Sequence, residues 1–191
     1  MPRVRLPIAT DRLLLRSFRP GDEPEVHAYR SRADVVHYIP GEPRTLEQVA
    51  DLVAERATAG RVEPESPIMT LAVEREGHVI GDVLIHLDGL DGHDGRQAEV
   101  GWVFHPAVSG QGYATEAAQA LLRAAFGDLG VHRVWAQLEP DNTGSSRICE
   151  RLGMRQEALF RNASWFKGRW TDLAIYALLE DEWRAGPGHF A

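Results

Sequence analysis

The chain has 191 residues, a formal net charge of −7 and one cysteine, Cys149. That length holds one full core but not two comfortable domains. The acidic balance disfavours nucleic-acid partners, which need a basic surface, and a lone cysteine rules out an internal disulfide and argues against a cysteine-based zinc site. No apolar run is long enough to span a bilayer and MPRVRLPIAT lacks a signal-peptide core, so no membrane contact and a cytoplasmic location are expected.

In chain order, TDRLLLRSF (Thr10 to Phe18) has β character and predicts the first strand. The chain then turns at Pro20-Gly21 into a helix capped near Asp22. Ala33 to Pro43, holding His37 and Tyr38, reads as irregular. Thr45 and Gln48 have capping-box spacing, and Leu46, Val49, Ala50, Val53 and Ala57 recur at helical intervals as far as Gly60. Pro67 to Leu87 reads as two strands joined in a hairpin around Glu76-Gly77. Asp88 to Gly95 is expected to be an exposed, mobile acidic loop; without the terminal glutamate of an EF-hand it predicts no calcium site.

Ala98 to Phe104 predicts a strand ended by Pro106. Beyond it Ala114, Ala117, Ala118, Leu121, Leu122 and Ala125 form one buried helical stripe, and Gly130 ends that segment. VHRVWAQLEP is another strand, and DNTGSSRICERLG a short helix capped by Asp141 or Asn142. Two final strands cover roughly Met154 to Phe160 and Arg169 to Leu179. Without repeats or linkers, this order predicts one mixed α/β domain over residues 1–191, with its core at about 10–183.

Val108 to Ala118 (VSGQGYATEAA) is the most informative stretch. Strand, glycine-rich loop and helix start, in that order, leave backbone N–H groups unpaired where a helix N-terminus adds partial positive charge. Such a site suits a phosphate or pyrophosphate. No Lys-Ser/Thr pair follows the glycines, and Thr115 stands where a dinucleotide fingerprint needs Gly or Ala. Glycine turns before helices also arise for structural reasons, so the loop alone does not name a ligand.

Downstream, NTGSSRICERLGM sets Asn142, Ser145, Arg147, Glu150, Arg151 and Gly153 at fixed spacing. Together with GQGYATEA, this resembles the GNAT superfamily of acyl-CoA-dependent N-acetyltransferases, in the branch similar to ribosomal-protein N-terminal (alanine/serine) acetyltransferases. Thr10-Asp11-Arg12-Leu13-Leu14-Leu15-Arg16, Glu99-Val100-Gly101-Trp102, and the set Gly168, Asp172 and Tyr176 carry the same resemblance, which covers about Thr10 to Trp183. It implies a central, mostly antiparallel sheet of about seven strands with a splayed parallel pair, flanked by about four helices. It also implies acetyl-CoA as cosubstrate, no metal, an amine acceptor (a small molecule or a protein N-terminus) and a homodimer.

The same resemblance implies that Ser109, Gly110, Gln111, Gly112, Tyr113, Ala114 and Thr115 cradle the CoA pyrophosphate. Trp102, Val103 and Phe104 would hold the pantetheine arm like an extra strand, with Asn142 and Arg147 also on the cofactor. Ser109 stands where the family often carries Arg or Gln, so backbone amides must supply most of the grip. Direct acyl transfer needs a neutral amine, a stabilised oxyanion and a proton for the departing thiolate. Glu99, in an otherwise apolar strand, is the candidate base, with a salt bridge to an arginine as the structural alternative. Ser145 is the candidate acid, or else a helix cap; Asn142 likewise caps or binds. Arg147 and Arg151 either reach a CoA phosphate or stay solvated, and Cys149 is expected to pack. His37, Tyr38, Trp165 and Trp170 fall in segments that border the acceptor pocket in similar proteins, each equally able to be core or rim, and the aromatic density from Trp165 to Trp170 suggests a substrate wall or a dimer contact. The competing reading is a catalytically idle module that binds acyl-CoA as a sensor or interaction platform.

Overall fold

A computed structural model of the chain describes residues 4–58, 67–88 and 96–186. Its strands are β1 (Ile8–Ala9), β2 (Leu14–Arg16), β3 (Ile68–Arg75), β4 (His78–Asp88), β5 (Gln97–Phe104), β6 (Arg133–Leu138), β7 (Arg155–Phe166) and β8 (Arg169–Leu179). They form one sheet in the order β1-β2-β3-β4-β5-β6-β8-β7. Only β5 and β6 run parallel; every other pair is antiparallel. The helices are α1 (Glu23–Arg30), α2 (Ala33–Val36), α3 (Leu46–Thr58), α4 (Tyr113–Gly127), α5 (Thr143–Arg151) and α6 (Glu180–Ala185). Gly60 and the segment after Asp88 through Gly95 lie outside the described residues.

The mixed α/β fold is as expected, with eight strands and six helices among the described residues where about seven and about four were predicted. The extra strand arises because Thr10 to Leu13 is a turn. Thr10 N–H donates to the Leu13 carbonyl at 2.9 Å, and Leu13 N–H donates to the Thr10 hydroxyl at 2.9 Å. The extra helices are α2, one turn inside the segment read as irregular, and α6.

Alternation along the strands sorts two apolar layers. One face sets Leu71, Val73, Val83, Ile85 and Val100 against Ala117, Ala118, Leu121, Leu122 and Ala125 of α4, whose small residues let it lie close to the sheet. The other sets Ala72 and Val79 against Val26 and Tyr29 of α1 and Val49, Leu52 and Val53 of α3. The stripe on α3 therefore departs from the predicted one: Ala50 faces solvent and Leu46 is 53% exposed, while Leu52 is buried. The Thr45–Gln48 capping box forms, with the Thr45 N–H donating to Gln48 Oε1 at 3.0 Å and the Gln48 N–H to the Thr45 hydroxyl at 3.3 Å. Asp22 sits at the N-cap of α1 but makes no side-chain cap bond. Its carboxylate instead takes two hydrogen bonds from Arg16, at 2.8 and 2.9 Å, and one from the Arg19 N–H.

A polar cluster is sealed between β4 and α1. The Asp82 carboxylate accepts the Tyr29 hydroxyl at 2.7 Å and Arg30 Nη2 at 2.6 and 2.7 Å. Arg56 Nη1 of α3 lies 3.4 Å from the same carboxylate. Burial alone would raise the Asp82 pKa, but the charges of Arg30 and Arg56 outweigh it and hold the carboxyl below its ordinary value. Both helices over this face are thereby fixed to β4, beside the strand that carries the candidate site.

Candidate active site

The parallel pairing of β5 with β6 stops at Glu99↔Trp135. Beyond it β5 runs on to Phe104, paired only with β4. The sheet therefore parts, leaving a cleft of about 480 Å³. Trp102, Val103 and Phe104 form one wall and α5 the other. Gly81 sets the position of the strand wall, because a Cβ there would lie 2.5 Å from the Val103 carbonyl and 2.7 Å from a Phe104 ring atom.

At the mouth of the cleft, Pro106 to Val108 make one 3-10 turn and the chain passes through Ser109 to Gly112 into α4. Gly110 and Gly112 take φ of +77° and +80°, the left-handed conformation that favours glycine. The amides from Gly110 to Thr115 donate no backbone hydrogen bond among the described residues. Ser109, Gly110, Gly112, Tyr113, Ala114 and Thr115 line the cleft, whereas Gln111 is exposed and its carbonyl turns away, to Arg12.

Across the cleft, the Asn142 side chain accepts the Ser145 N–H at 3.2 Å, so Asn142 is a helix cap that also lines the cleft. This cap leaves the Ser145 hydroxyl free to accept Trp102 Nε1–H at 3.3 Å, joining the two walls. Gly144, Ser145, Ile148 and Arg151 line the cleft together with Arg147. Their i, i+1, i+4, i+7 spacing marks one helix face, a signal that could have added Gly144 and Ile148 to the predicted set. Arg147 and Arg151 are exposed and make no ion pair among the described residues, which leaves positive charge at the edge of the cleft. Cys149 points into the core, and burial pushes its thiol up to about 12.

Glu99 does not line this cleft. It is the last paired residue before the sheet parts, and its register partner His86 shares the α1 face with Asp82. Its side chain is 23% exposed. Instead of the arginine that the structural alternative requires, it meets Gln137 Nε2, which donates at 3.0 Å, and His86 Nδ1 at 3.9 Å. Asp34, Val35, Tyr38 and Ile39 from the α2 segment also line the cleft; of these only Tyr38 was singled out from the sequence, and the others follow no pattern in it. The Tyr38 hydroxyl donates to the Asp141 carbonyl at 3.3 Å, and Lys167 Nζ to the Val36 carbonyl at 2.7 Å. These links bring α2 against the turn after β6 and the tip of the β7–β8 hairpin. Beside them lies a smaller pocket of about 180 Å³ rimmed by Glu139, Asp141, Asp172, Arg169 and Trp170. Trp165 and Trp170 are 61% and 58% exposed and meet edge to face at 5.3 Å. Neither lines the main cleft. His37 is exposed beside the Tyr38 ring.

A sheet split beyond a short parallel pair, with free amides and a helix N-terminus at its mouth, defines an α/β domain whose cleft could take an extended ligand with an anionic end. The acetyltransferase (GNAT) domain model matches residues 12–155, and the chain belongs to that family. The uncharacterized N-acetyltransferase YnaD of Bacillus subtilis (strain 168) is 34% identical over 177 residues, covering 92% of this chain and 98% of its own. A solved GNAT-family acetyltransferase from Bacillus anthracis superposes with a TM-score of 0.82 at 34% identity, covering 93% of this chain and all of its own. The microcin C7 self-immunity acetyltransferase MccE, solved in complex with acetyl-CoA and AMP, shares the fold at 18% identity with a TM-score of 0.75, over 89% of this chain and 93% of its own. The chain is an acetyl-CoA-dependent N-acetyltransferase. Among the described residues no group of acidic, histidine or cysteine side chains could hold a metal ion, and no helix is long and apolar enough to cross a membrane.

Proposed function

We propose that the enzyme transfers an acetyl group directly from acetyl-CoA to a primary amine inside the split between β5 and β6. The observation that carries this reading is the parting of the two strands immediately after Glu99, with unpaired amides at one end and the Ser145 hydroxyl accepting the Trp102 Nε1–H. The amides of Gly110 to Thr115 hold the pyrophosphate, with Ser109 at their head adding no charge. The strand edge from Trp102 through Phe104 holds the pantetheine, and Arg147 meets a phosphate. Asn142 acts by fixing the start of α5. Acetyl-CoA supplies an acyl carbon activated as a thioester.

Glu99 faces the α1 side of the sheet, whereas Trp102 packs toward α4. The amine then arrives from the face opposite the cosubstrate, and the base and the acid flank the split from its two sides. Glu99, held by Gln137, takes the ammonium proton directly or through water; as the C–N bond forms and the C–S bond breaks, Ser145 passes its proton to the leaving thiolate and regains one from the newly acylated nitrogen. Glu139 at the rim of the smaller pocket is already paired with Arg169 at 2.6 Å, so Asp141 and Asp172 supply the negative charge there that favours a cationic acceptor, which suits both a small amine and a protein N-terminus. The N-terminal branch is supported by the Thr10 to Arg16 motif. Exposed Leu159 and Phe160 on the outer strand β7 support a homodimer, and the absence of an apolar spanning helix among the described residues is compatible with a cytoplasmic enzyme.

Thiol release from acetyl-CoA with a panel of amines, run beside calorimetric CoA binding, tests the assignment. Glu99→Gln and Ser145→Ala should each lower turnover by about 10²-fold or more, the scale of general acid–base catalysis, while binding of CoA persists. Wild-type turnover in either variant removes that residue from the chemistry. Binding without turnover on any amine would restore the idle-module reading, which the family membership does not favour.

A further inference from the structure

The turn from Thr10 to Leu13 lines no part of the cleft, yet it is fastened to the glycine loop from about a hundred residues away. Arg12 Nη1 donates to the Gln111 carbonyl at 3.0 Å. Its Nε donates to Glu116 Oε2 at 2.7 Å, and Nη2 lies 2.6 Å from the same oxygen. Glu116 Oε1 also accepts the Arg12 N–H at 3.0 Å and the Thr10 hydroxyl at 2.6 Å. The guanidinium sits 4.5 Å from the centroid of the Tyr113 ring, and Arg75 lies 4.9 Å from the same ring.

This arrangement acts on the loop in two ways. In a trans peptide the C=O and the following N–H point in opposite directions. Holding the Gln111 carbonyl toward Arg12 therefore turns the Gly112 N–H the other way, to the side on which Gly112 lines the cleft. Glu116, meanwhile, lies in the first turn of α4, beside the place where an anion would bind. An unpaired carboxylate there would repel a pyrophosphate. Burial raises the Glu116 pKa, but hydrogen bonds from Thr10 and Arg12 outweigh it and keep the carboxylate ionised and paired.

We propose that Arg12 is a positioning residue for the cosubstrate, setting the anion-accepting form of the glycine loop through the Gln111 carbonyl and cancelling the Glu116 charge beside it. This rests on placing the pyrophosphate at that loop. The test compares CoA affinity by titration calorimetry, and kcat/KM for acetyl-CoA, with kcat/KM for S-acetylpantetheine, which has no pyrophosphate. Arg12→Ala should weaken CoA binding by about 10- to 100-fold, the scale of a lost charge-assisted hydrogen bond. S-acetylpantetheine kinetics should move by less than about twofold, because that substrate does not engage the loop. Adding Glu116→Gln to Arg12→Ala should recover part of the CoA affinity, since no carboxylate is then left unpaired. Arg12→Lys should recover less than the native fork supports, because an ammonium cannot reproduce its planar, multidentate contacts.

CoA affinity within about twofold of wild type in Arg12→Ala overturns the proposal. So does an equal loss for both acyl donors with a lowered Tm, which would make Arg12 merely structural. Failure of the underlying assignment reads differently: wild-type enzyme would then use S-acetylpantetheine as well as acetyl-CoA, and Gly112→Val would bind CoA normally.

Discussion

Asp82→Asn removes one negative charge from an enclosed cluster that contains two arginines. Asp82 is 1% exposed, and the Arg30 and Arg56 side chains are 10% and 16% exposed. Asparagine keeps the shape and can still accept from Tyr29 or Arg30, but it leaves both guanidiniums without a counter-charge. Arg30 Nε and Arg56 Nη1 already lack a hydrogen-bond partner among the described residues, so the cluster has little spare capacity to compensate. Breaking a buried pair from one side costs about 3–5 kcal/mol. At about 2–4 °C per kcal/mol for a chain of this size, the Tm should fall by roughly 6–20 °C. Urea and thermal unfolding followed by circular dichroism measure this. A loss below about 1 kcal/mol would refute the account of the cluster as a buried ion pair.

The acid limb of the stability curve offers a second check. Asp82 titrates lower in the folded protein than in the unfolded chain, so its contribution is complete above about pH 5 and is lost as the pH falls through the folded value. Wild-type Tm should drop more steeply below about pH 4 than that of Asp82→Asn; parallel curves would contradict the assignment. Gly81→Ala should cost about 1–3 kcal/mol by overpacking, and the displaced Phe104 should raise the KM for acetyl-CoA. An unchanged KM would show that the strand wall tolerates movement. Cys149, with its thiol at about 12, should resist a disulfide reagent at pH 8 until urea unfolds the protein; immediate labelling of the native protein would place it outside the core.

Local signals read well where one interaction decided the outcome. Glu76-Gly77, with φ of 51° and 88°, makes the tight hairpin turn that the sequence announced, and the Thr45–Gln48 box started α3. The loop and the cap of α5 were legible because positive φ selects glycine at Gly110 and Gly112, and a side-chain acceptor for the Ser145 N–H selects asparagine at the start of α5. What failed depended on distant partners. Thr10 to Leu13 looks like strand, but the Thr10 hydroxyl and Glu116 fold it into a turn. The strand β7 outruns its predicted end at Phe160 by six residues because β8 carries it through an irregular register. Asn162 there takes φ +48°, and its N–H donates to Asp172 Oδ1 at 2.9 Å. Asp172 and Tyr176, noted as family signals, are thus seen to brace this hairpin; the Tyr176 hydroxyl donates to Gln156 Oε1 at 3.2 Å. Glu99 was identifiable as an oddity in its strand, but its partners Gln137 and His86 come from two neighbouring strands that no local pattern links to it.

The parting of β5 from β6 carries a liability as well as a use. From Val100 to Phe104 a strand near the middle of the sheet has a ladder partner on one side only. In hydrogen-bonding terms it is an edge, and no proline or lysine guards it before Pro106. A bound amide-bearing arm would complete the ladder and so act as the missing strand. At a hundredfold excess over its Kd, any such ligand adds about 2.7 kcal/mol to the folded state. Resistance of this protein to unfolding and to intermolecular strand pairing would then follow the supply of its own cosubstrate.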